Sequence, residues 1–130
     1  MIYINMGSFS KYVKSQDENV KKLFGKLFSV RQNAHILHLN SKSYAEHIAL
    51  NEFYDKLIEL ADELIEVYQG QYNLVQIKPE NQDFKSAQEM LEDFASTLEN
   101  CKSSNSHLAN LIDEIKALTY KTLYKVRFLK

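Results

Sequence analysis

The chain has 130 residues, enough for one domain with a single hydrophobic core, and 45% of its residues are apolar. It contains one proline and three glycines, a composition typical of a compact helical protein and not of a disordered one. Its net charge of -1 gives no general attraction toward nucleic acid or an anionic membrane surface.

Cysteine content and hydropathy indicate the compartment. The single cysteine, Cys101, cannot form an internal disulfide, which favours a reducing environment. The segment from Met1 to Met6 lacks the basic start of a signal peptide, and no apolar run approaches the roughly 18 residues that a membrane-spanning helix needs. We therefore expect a cytoplasmic protein with no membrane partner.

The first two of four amphipathic segments carry clear helix signals. Segment A covers about residues 18–39 and contains Gly25, which costs roughly 1 kcal/mol relative to alanine inside a helix. Segment B begins at a capping box in which Ser43 and Glu46 satisfy each other's free backbone N–H groups. It ends just before Gly70, a residue suited to the left-handed position that follows a helix.

The second half of the chain contains two more segments of the same kind. A link of residues 71–83 includes the only proline, and segment C covers about residues 84–102. The polar run 103–106 breaks the pattern and offers an N-cap for segment D, which continues to the end of the chain. Four amphipathic helices in a row predict an all-α, ferritin-like four-helix bundle that forms one domain over residues 1–130.

Segment B has two apolar faces. The stripe that we expect to face its own bundle consists of Leu50, Phe53, Leu57, Leu60, Ala61, Leu64 and Tyr68. About a third of a turn away, Ile48, Ile58 and Ile65 are interleaved with polar residues. A purely solvated face seldom carries three isoleucines among its acids, so we interpret this second face as a subunit interface that holds a polar site.

Five residues are candidate metal ligands: His35, His47, Asn51, Asp62 and Glu66. His47 with Asn51, and Asp62 with Glu66, are i,i+4 pairs, so each pair lies on one side of a helical turn. Imidazole and carboxylate groups are ligands that iron and related divalent metals accept. The two pairs are about 16 Å apart along the helix axis, so no single ion can contact both of them in one chain.

A second copy of the chain could bring the two pairs of candidate ligands together. Two antiparallel copies of segment B, related by a two-fold axis, would place His47 and Asn51 of one copy opposite Asp62 and Glu66 of the other. The arrangement makes two equivalent sites per dimer. The spacing therefore predicts a metal site that exists only in a homo-oligomer.

The stretch from His35 to Glu66 resembles the Dps group of ferritin-like proteins, small iron-oxidising and iron-storing proteins of bacteria. The ligand pattern of that family is His, eleven residues, His, three residues, Asp, ten residues, Asp, three residues, Glu, and the chain reproduces its spacing without a gap. The resemblance implies that the first three ligands come from one subunit and the last two from its two-fold partner. It also implies Fe(II) oxidation at an intersubunit ferroxidase site, with iron storage or oxidative protection in a dodecameric shell.

The chain departs from the family pattern at several positions. Asn51 replaces an aspartate and removes one negative charge from the site, Asn40 replaces a glycine, and Ile36 replaces a tryptophan. The link between segments C and D lacks the acidic stretch that lines the iron-entry pores of the family. Some members of the family bind DNA through basic tails. The N-terminal segment here has only Lys11 and Lys14, so we do not expect DNA binding.

Two functions remain open on this evidence. The first is a Dps-like ferroxidase in which His35, His47, Asp62 and Glu66 hold iron, or another divalent metal, and Asn51 is a weak ligand or an orienting group. The second is a non-catalytic ferritin-like structural or interaction protein with a degenerate metal site. A phage or viral origin would then place it in the host cytoplasm or the virion.

No other chemistry is predicted. The sequence has no CxxC, HExxH, GxGxxG or P-loop motif, and we predict no organic cofactor and no catalytic residue apart from the metal ligands. We interpret His38 and His107 as structural or exposed, and Cys101 as a core residue of segment C.

Overall fold

The computed structural model describes the backbone of residues 6–130 and the side chains of residues 18–130. The first five residues, which belong to the segment considered as a signal peptide, and the side chains of Lys11 and Lys14 lie outside this description. The described chain forms four helices: α1 Met6–Asn40, α2 Tyr44–Gln71, α3 Ala87–Asn100 and α4 Ser106–Phe128. The predicted all-α four-helix bundle is confirmed. None of the helices in the described range is long and apolar enough to cross a bilayer.

The turn between α1 and α2 is held by serine side chains. Ser43 caps α2, because its Oγ accepts a hydrogen bond of 3.2 Å from the backbone N–H of Glu46. The other half of the predicted capping box is not made. The Glu46 carboxylate instead accepts a hydrogen bond of 2.6 Å from the Ser41 hydroxyl, and the Ser43 N–H donates to Ser41 Oγ at 3.2 Å.

Two helix ends differ from the sequence-based prediction. The prediction that Gly70 ends α2 in a left-handed conformation was wrong, because α2 continues through Gly70 and no described glycine has a positive φ. The N–H of Tyr72 closes the last turn on the Tyr68 carbonyl oxygen at 3.0 Å. Helix α3 is shorter than segment C and begins after Ser86, whose hydroxyl accepts a hydrogen bond of 3.1 Å from the Glu89 N–H. Helix α1, in turn, begins well before segment A.

Contacts between the helices establish the topology. In α4, Lys125 near the C-terminal end contacts Glu52 near the start of α2 at 2.8 Å, so these neighbours are antiparallel. Cys101, which follows α3, has its Sγ 3.8 Å from the carbonyl oxygen of Asn19 in α1, whereas the earlier Asp93 of α3 pairs with the later Lys26 of α1. Helix α3 is therefore antiparallel to α1. Because α1 and α2 also form an antiparallel hairpin, α2 and α3 run in the same direction. Residues 72–86 therefore form a crossover that returns along the bundle.

The inner stripe predicted for α2 is confirmed, since all of its seven residues are buried: Leu50, Phe53, Leu57, Leu60, Ala61, Leu64 and Tyr68. The assignment of Ile65 to a subunit interface was wrong, because Ile65 belongs to the core of its own chain. Helix α2 packs against both α1 and α4, so its buried surface is wider than one stripe. Ile48 is exposed and Ile58 half-buried, which leaves two of the three isoleucines on the second face.

The crossover lies directly on α1 at Gly25. The Glu80 N–H donates a hydrogen bond of 3.1 Å to the Gly25 carbonyl oxygen. A Cβ atom at Gly25 would overlap the backbone carbonyl oxygen of Lys78. Gly25 is thus needed for a close approach of two backbone segments, which the sequence analysis treated only as a weak point in a helix.

Lys26 holds the same crossover from the next position in α1. Its side chain is buried, with only 4% of the residue exposed, and Nζ donates to Gln82 Oε1 at 2.6 Å. The ammonium group also pairs with Asp93 of α3 and lies 5.3 Å from the ring centroid of Phe84. One buried charge therefore joins α1, the crossover and α3, and its hydrogen bonds offset the cost of burying it.

Candidate metal centre

The C-terminal end of α1 and the first half of α2 bring three histidines, a tyrosine and an asparagine together. The ring centroids of His35 and Tyr54 are 4.7 Å apart, and the rings of His38 and His47 stack at 3.7 Å with an interplanar angle of 17°. The ring centroids of Tyr54 and His38 are 5.5 Å apart, and the Tyr54 hydroxyl donates a hydrogen bond to Asn51 Oδ1. We call these five residues the histidine–tyrosine cluster.

Helical spacing explains how the cluster forms. His35 and His38 are three positions apart on α1, so they share one face of that helix. His47, Asn51 and Tyr54 lie at i, i+4 and i+7 on α2, which also places them on one face. The short turn of residues 41–43 folds α2 back along α1, and the two faces meet.

Two reciprocal hydrogen bonds fix His38 and His47. Nδ1 of His47 lies 2.9 Å from the carbonyl oxygen of His38, and Nδ1 of His38 lies 2.6 Å from the carbonyl oxygen of His47. A carbonyl oxygen only accepts hydrogen bonds, so each Nδ1 carries the hydrogen and donates it. In the neutral rings, each Nε2 is left with a lone pair. Histidines that bind metals typically donate their second ring nitrogen to a carbonyl or carboxylate in this way.

The amide of Asn51 is engaged at both ends. Its Oδ1 accepts a hydrogen bond of 2.8 Å from the Tyr54 hydroxyl, and its Nδ2 donates to Asp55 Oδ2 at 3.3 Å. These two bonds determine which way the amide group points. The amide oxygen of Asn51 therefore faces the Tyr54 hydroxyl. The cluster thus contains an amide oxygen and a phenol oxygen beside the imidazole nitrogens.

The predicted acidic pair lies apart from the cluster. Asp62 and Glu66 are exposed on the second half of α2, and neither forms an ion pair or hydrogen bond with another described residue. Within the range of described side chains, no group of three or more His, Cys, Asp or Glu residues is close enough to hold a metal ion. The structure thus brings His35, His47 and Asn51 into one cluster, while Asp62 and Glu66 would need a second chain to reach it.

The donor groups of the cluster are of types that several transition metals accept, iron among them. Imidazole nitrogens from His35 and His47 suit iron, zinc, copper and nickel, and oxygen ligands extend the choice toward harder ions such as Fe(III). An amide oxygen alone contributes no negative charge, so a cation at Asn51 would be bound less strongly than at an aspartate. Anionic oxygens would have to come from elsewhere, either from a second copy or from another group in the cluster.

Sequence reasoning did not place His38 or Tyr54 in the candidate site. The prediction that His38 is structural or exposed is confirmed, because the residue is buried and its Nδ1 donates to the His47 carbonyl oxygen, and His107 is exposed. Tyr54 packs against the core and also donates its hydroxyl hydrogen to Asn51, a contact that composition alone could not indicate. Helical spacing could have indicated both residues, because each is three positions from a candidate ligand. His38 follows His35, and Tyr54 follows Asn51.

Comparison with known proteins gives one family. Neither the curated proteins nor the solved structures include a match to the chain. A family model described as a family of unknown function, DUF5856, matches residues 38–126. The matched region contains His38, His47, Asn51 and the acidic pair of α2, and it begins just after His35. Because this match covers more than half of its length, the chain belongs to the DUF5856 family.

Proposed function

We propose that the protein binds Fe(II) as its substrate and oxidises it at a site shared by two copies of the chain. The observation that carries the proposal is the hydrogen bond of 2.9 Å from His47 Nδ1 to the His38 carbonyl oxygen. It fixes the tautomer and orientation of a candidate ligand and leaves Nε2 free for a metal. The ungapped spacing shared with the Dps ligand pattern supports the same function.

Each group would have a defined role. His35 and His47 of one copy would bind the iron through imidazole nitrogen, while Asp62 and Glu66 of the second copy would supply anionic oxygens. Those negative charges stabilise Fe(III) more than Fe(II), because the attraction grows with the charge of the ion, and so they favour oxidation. Each Fe(II) gives up one electron, and oxygen or peroxide accepts it. Asn51, with both ends of its amide engaged, would orient the site and bind the ion weakly at most.

The connectivity of the bundle supports the proposal independently of the ligands. The parallel helices α2 and α3 are joined by one long crossover, residues 72–86. A four-helix bundle with a single long crossover is the arrangement of ferritin-like folds. Fold alone does not imply function, so the ligand set remains the main support.

The assembly state provides the first test. Light scattering at micromolar concentration is expected to show a dimer or a larger assembly built from dimers, because the ligands of one site come from two chains. A twelve-subunit particle would further support iron storage. A stable monomer would eliminate the shared site.

Iron oxidation by matched variants provides the second test. Asp62→Asn with Glu66→Gln should abolish rapid Fe(II) oxidation, whereas Glu59→Gln with Glu63→Gln, on the neighbouring exposed face, should leave it unchanged. Asn51→Asp should tighten Fe(II) binding and speed its oxidation, because it restores a carboxylate to the site. Dimer stability should be measured in parallel. A weaker dimer without faster oxidation would mean that the added charge only repels the acids of the second copy.

A non-catalytic structural or interaction protein is the second candidate. The observation that favours it is the complete engagement of the Asn51 amide by Tyr54 and Asp55, together with the missing carboxylate at that position. In this case the reciprocal bonds of His38 and His47 would serve only to join α1 to α2. Metal analysis of protein purified without an affinity tag separates the two functions, because only the first predicts bound iron.

A further inference from the structure

We propose that a groove between residues 52–60 of α2 and 114–125 of α4 binds a free fatty acid, a molecule with one carboxylate and an apolar chain. This α2–α4 groove has a volume of about 470 Å³, within the range of pockets that hold small ligands. Clefts between the helices of a bundle are frequent ligand sites. Lys56 in the groove is nine residues from His47, about half a turn around α2, so the groove lies on the opposite side of that helix from the histidine–tyrosine cluster.

One ion pair fixes the register of the two helices at the groove. Nζ of Lys125 in α4 contacts Oε2 of Glu52 in α2 at 2.8 Å. Four residues further along α2 is Lys56, and four residues back along α4 is Lys121. Because the helices are antiparallel, both steps lead in the same direction, and the two lysines stand at one level on either side of the groove.

The charges at this level are available to an anion. Lys56 pairs with Glu59 at 3.2 Å, but both side chains are largely exposed, and such surface pairs contribute little. The Lys121 side chain is exposed and forms no hydrogen bond or ion pair with another described residue. The nearest acid on the groove wall, Glu52, is held by Lys125. A carboxylate placed between Lys56 and Lys121 would therefore gain two ammonium partners.

Beyond the two lysines, the groove is apolar. Phe53 and Leu60 of α2 are buried beneath it, and Leu118 of α4 is half-buried along it. Ala117 stands one turn beyond Lys121, and its short side chain leaves the space open. Glu114 at the far end would repel a second anionic group. The groove thus suits a ligand that is anionic at one end and apolar along the rest.

The size of the groove favours a chain-like ligand over a partner helix. A helix with its side chains is about 10 Å across, and a docked helix needs a broad apolar surface. The α2–α4 groove instead has exposed charged residues on both walls, among them Lys56, Lys121 and Glu114. A single apolar chain can lie between these walls while its head group stays at the lysines.

The experiment titrates metal-free protein with decanoate in a calorimeter, below the concentration at which decanoate forms micelles. Wild type should bind one decanoate per chain. Lys56→Gln with Lys121→Gln should weaken binding about tenfold, because hydrogen bonds to the charged head group are lost. Lys85→Gln with Lys102→Gln removes two exposed lysines outside the groove and should leave the affinity unchanged.

Ala117→Leu tests the apolar part of the groove. A leucine side chain would fill the space that Ala117 leaves open, so decanoate binding should be lost. The position is exposed and leucine is nearly as good a helix former as alanine, so the variant should fold, which circular dichroism verifies. Decanol has the chain without the charge and inorganic phosphate has charge without the chain. Each should bind to wild type at least tenfold more weakly than decanoate.

Three results would overturn the proposal: no saturable binding of decanoate to wild type, equal affinity of wild type and the Lys56 and Lys121 variant, or equal affinity for decanol. Amide chemical shifts locate the ligand, with changes expected in residues 52–60 and 114–125. Changes around His47 with none in these segments would place the ligand elsewhere and overturn the assignment. Binding to phosphatidylglycerol vesicles without binding of decanoate would assign the lysines to a membrane surface instead. Because the protein is free of metal throughout, none of these results bears on the proposed iron function.

Discussion

Replacing Gly25 by alanine tests the most unusual backbone contact of the bundle. On helix propensity alone, Gly25→Ala should stabilise the protein by roughly 1 kcal/mol. In the structure, the new methyl group would overlap the backbone carbonyl oxygen of Lys78, and a backbone segment cannot move aside as a flexible side chain can. We therefore expect the substitution to destabilise the protein, against the propensity scale.

The magnitude follows from three contributions. Forcing an extra methyl group into a close-packed contact costs about 1–3 kcal/mol. If the crossover shifts to relieve the overlap, it loses the hydrogen bond from the Glu80 N–H to the Gly25 carbonyl oxygen, worth about 0.5–1.5 kcal/mol. Subtracting the gain in propensity of roughly 1 kcal/mol leaves a net destabilisation of about 0.5–3.5 kcal/mol.

Gly70→Ala is the matched control. Gly70 is also inside a helix, but a Cβ atom there would meet nothing within 4 Å. Alanine at this position should stabilise the protein by about 0.5–1 kcal/mol. Urea denaturation followed by circular dichroism measures the free energy of unfolding of both variants. Stabilisation by both substitutions would show that the crossover does not lie against α1, and destabilisation by Gly70→Ala would restore the original prediction of a left-handed helix end.

Three smaller predictions concern a buried thiol, an exposed ion pair and a helix cap. Burial raises the pKa of the Cys101 thiol to about 11, so the native protein should react slowly with Ellman's reagent at pH 8 and rapidly in urea. Because the unfolded thiol ionises first, stability should fall as the pH rises above 9.0, and Cys101→Ala should remove this dependence. The hydrogen bond from Lys125 lowers the pKa of Glu52, so the stability that this ion pair contributes should be lost as the pH falls below 4.5. Glu52→Gln should therefore reduce the acid dependence of the free energy of unfolding. Ser43→Ala should cost about 1 kcal/mol in urea denaturation by removing the N-cap of α2, and no measurable loss would contradict the capping role.

The helices and the inner stripe of α2 were predictable because their signals are local. Apolar residues that recur every three to four positions need only the sequence to be recognised. The end of α2 was not predictable in this way. Tyr68 packs edge-to-face on Phe24 of α1, with ring centroids 5.3 Å apart, so tertiary contacts hold the last turns of the helix in place. That packing outweighs the poor helix propensity of Gly70.

The candidate site was predictable only in part. The spacing of His47 and Asn51 is sufficient to place them on one helical face. The stacking of His38 on His47 and the bond from Tyr54 to Asn51 depend on the axial register between α1 and α2, which is set by the turn and by core packing. Whether the acidic pair of α2 reaches the cluster depends on a second chain, which no pattern within one chain determines.

The attachment of residues 78–82 to Gly25 and Lys26 also limits how the length of this chain can vary. Loops usually accept insertions, because lengthening them costs little entropy. The crossover cannot do so near Gln82, since an added residue would displace the partner of a buried ammonium group and the backbone that fits against Gly25. Insertions, fusion points and new chain termini should therefore be excluded from the middle of the crossover.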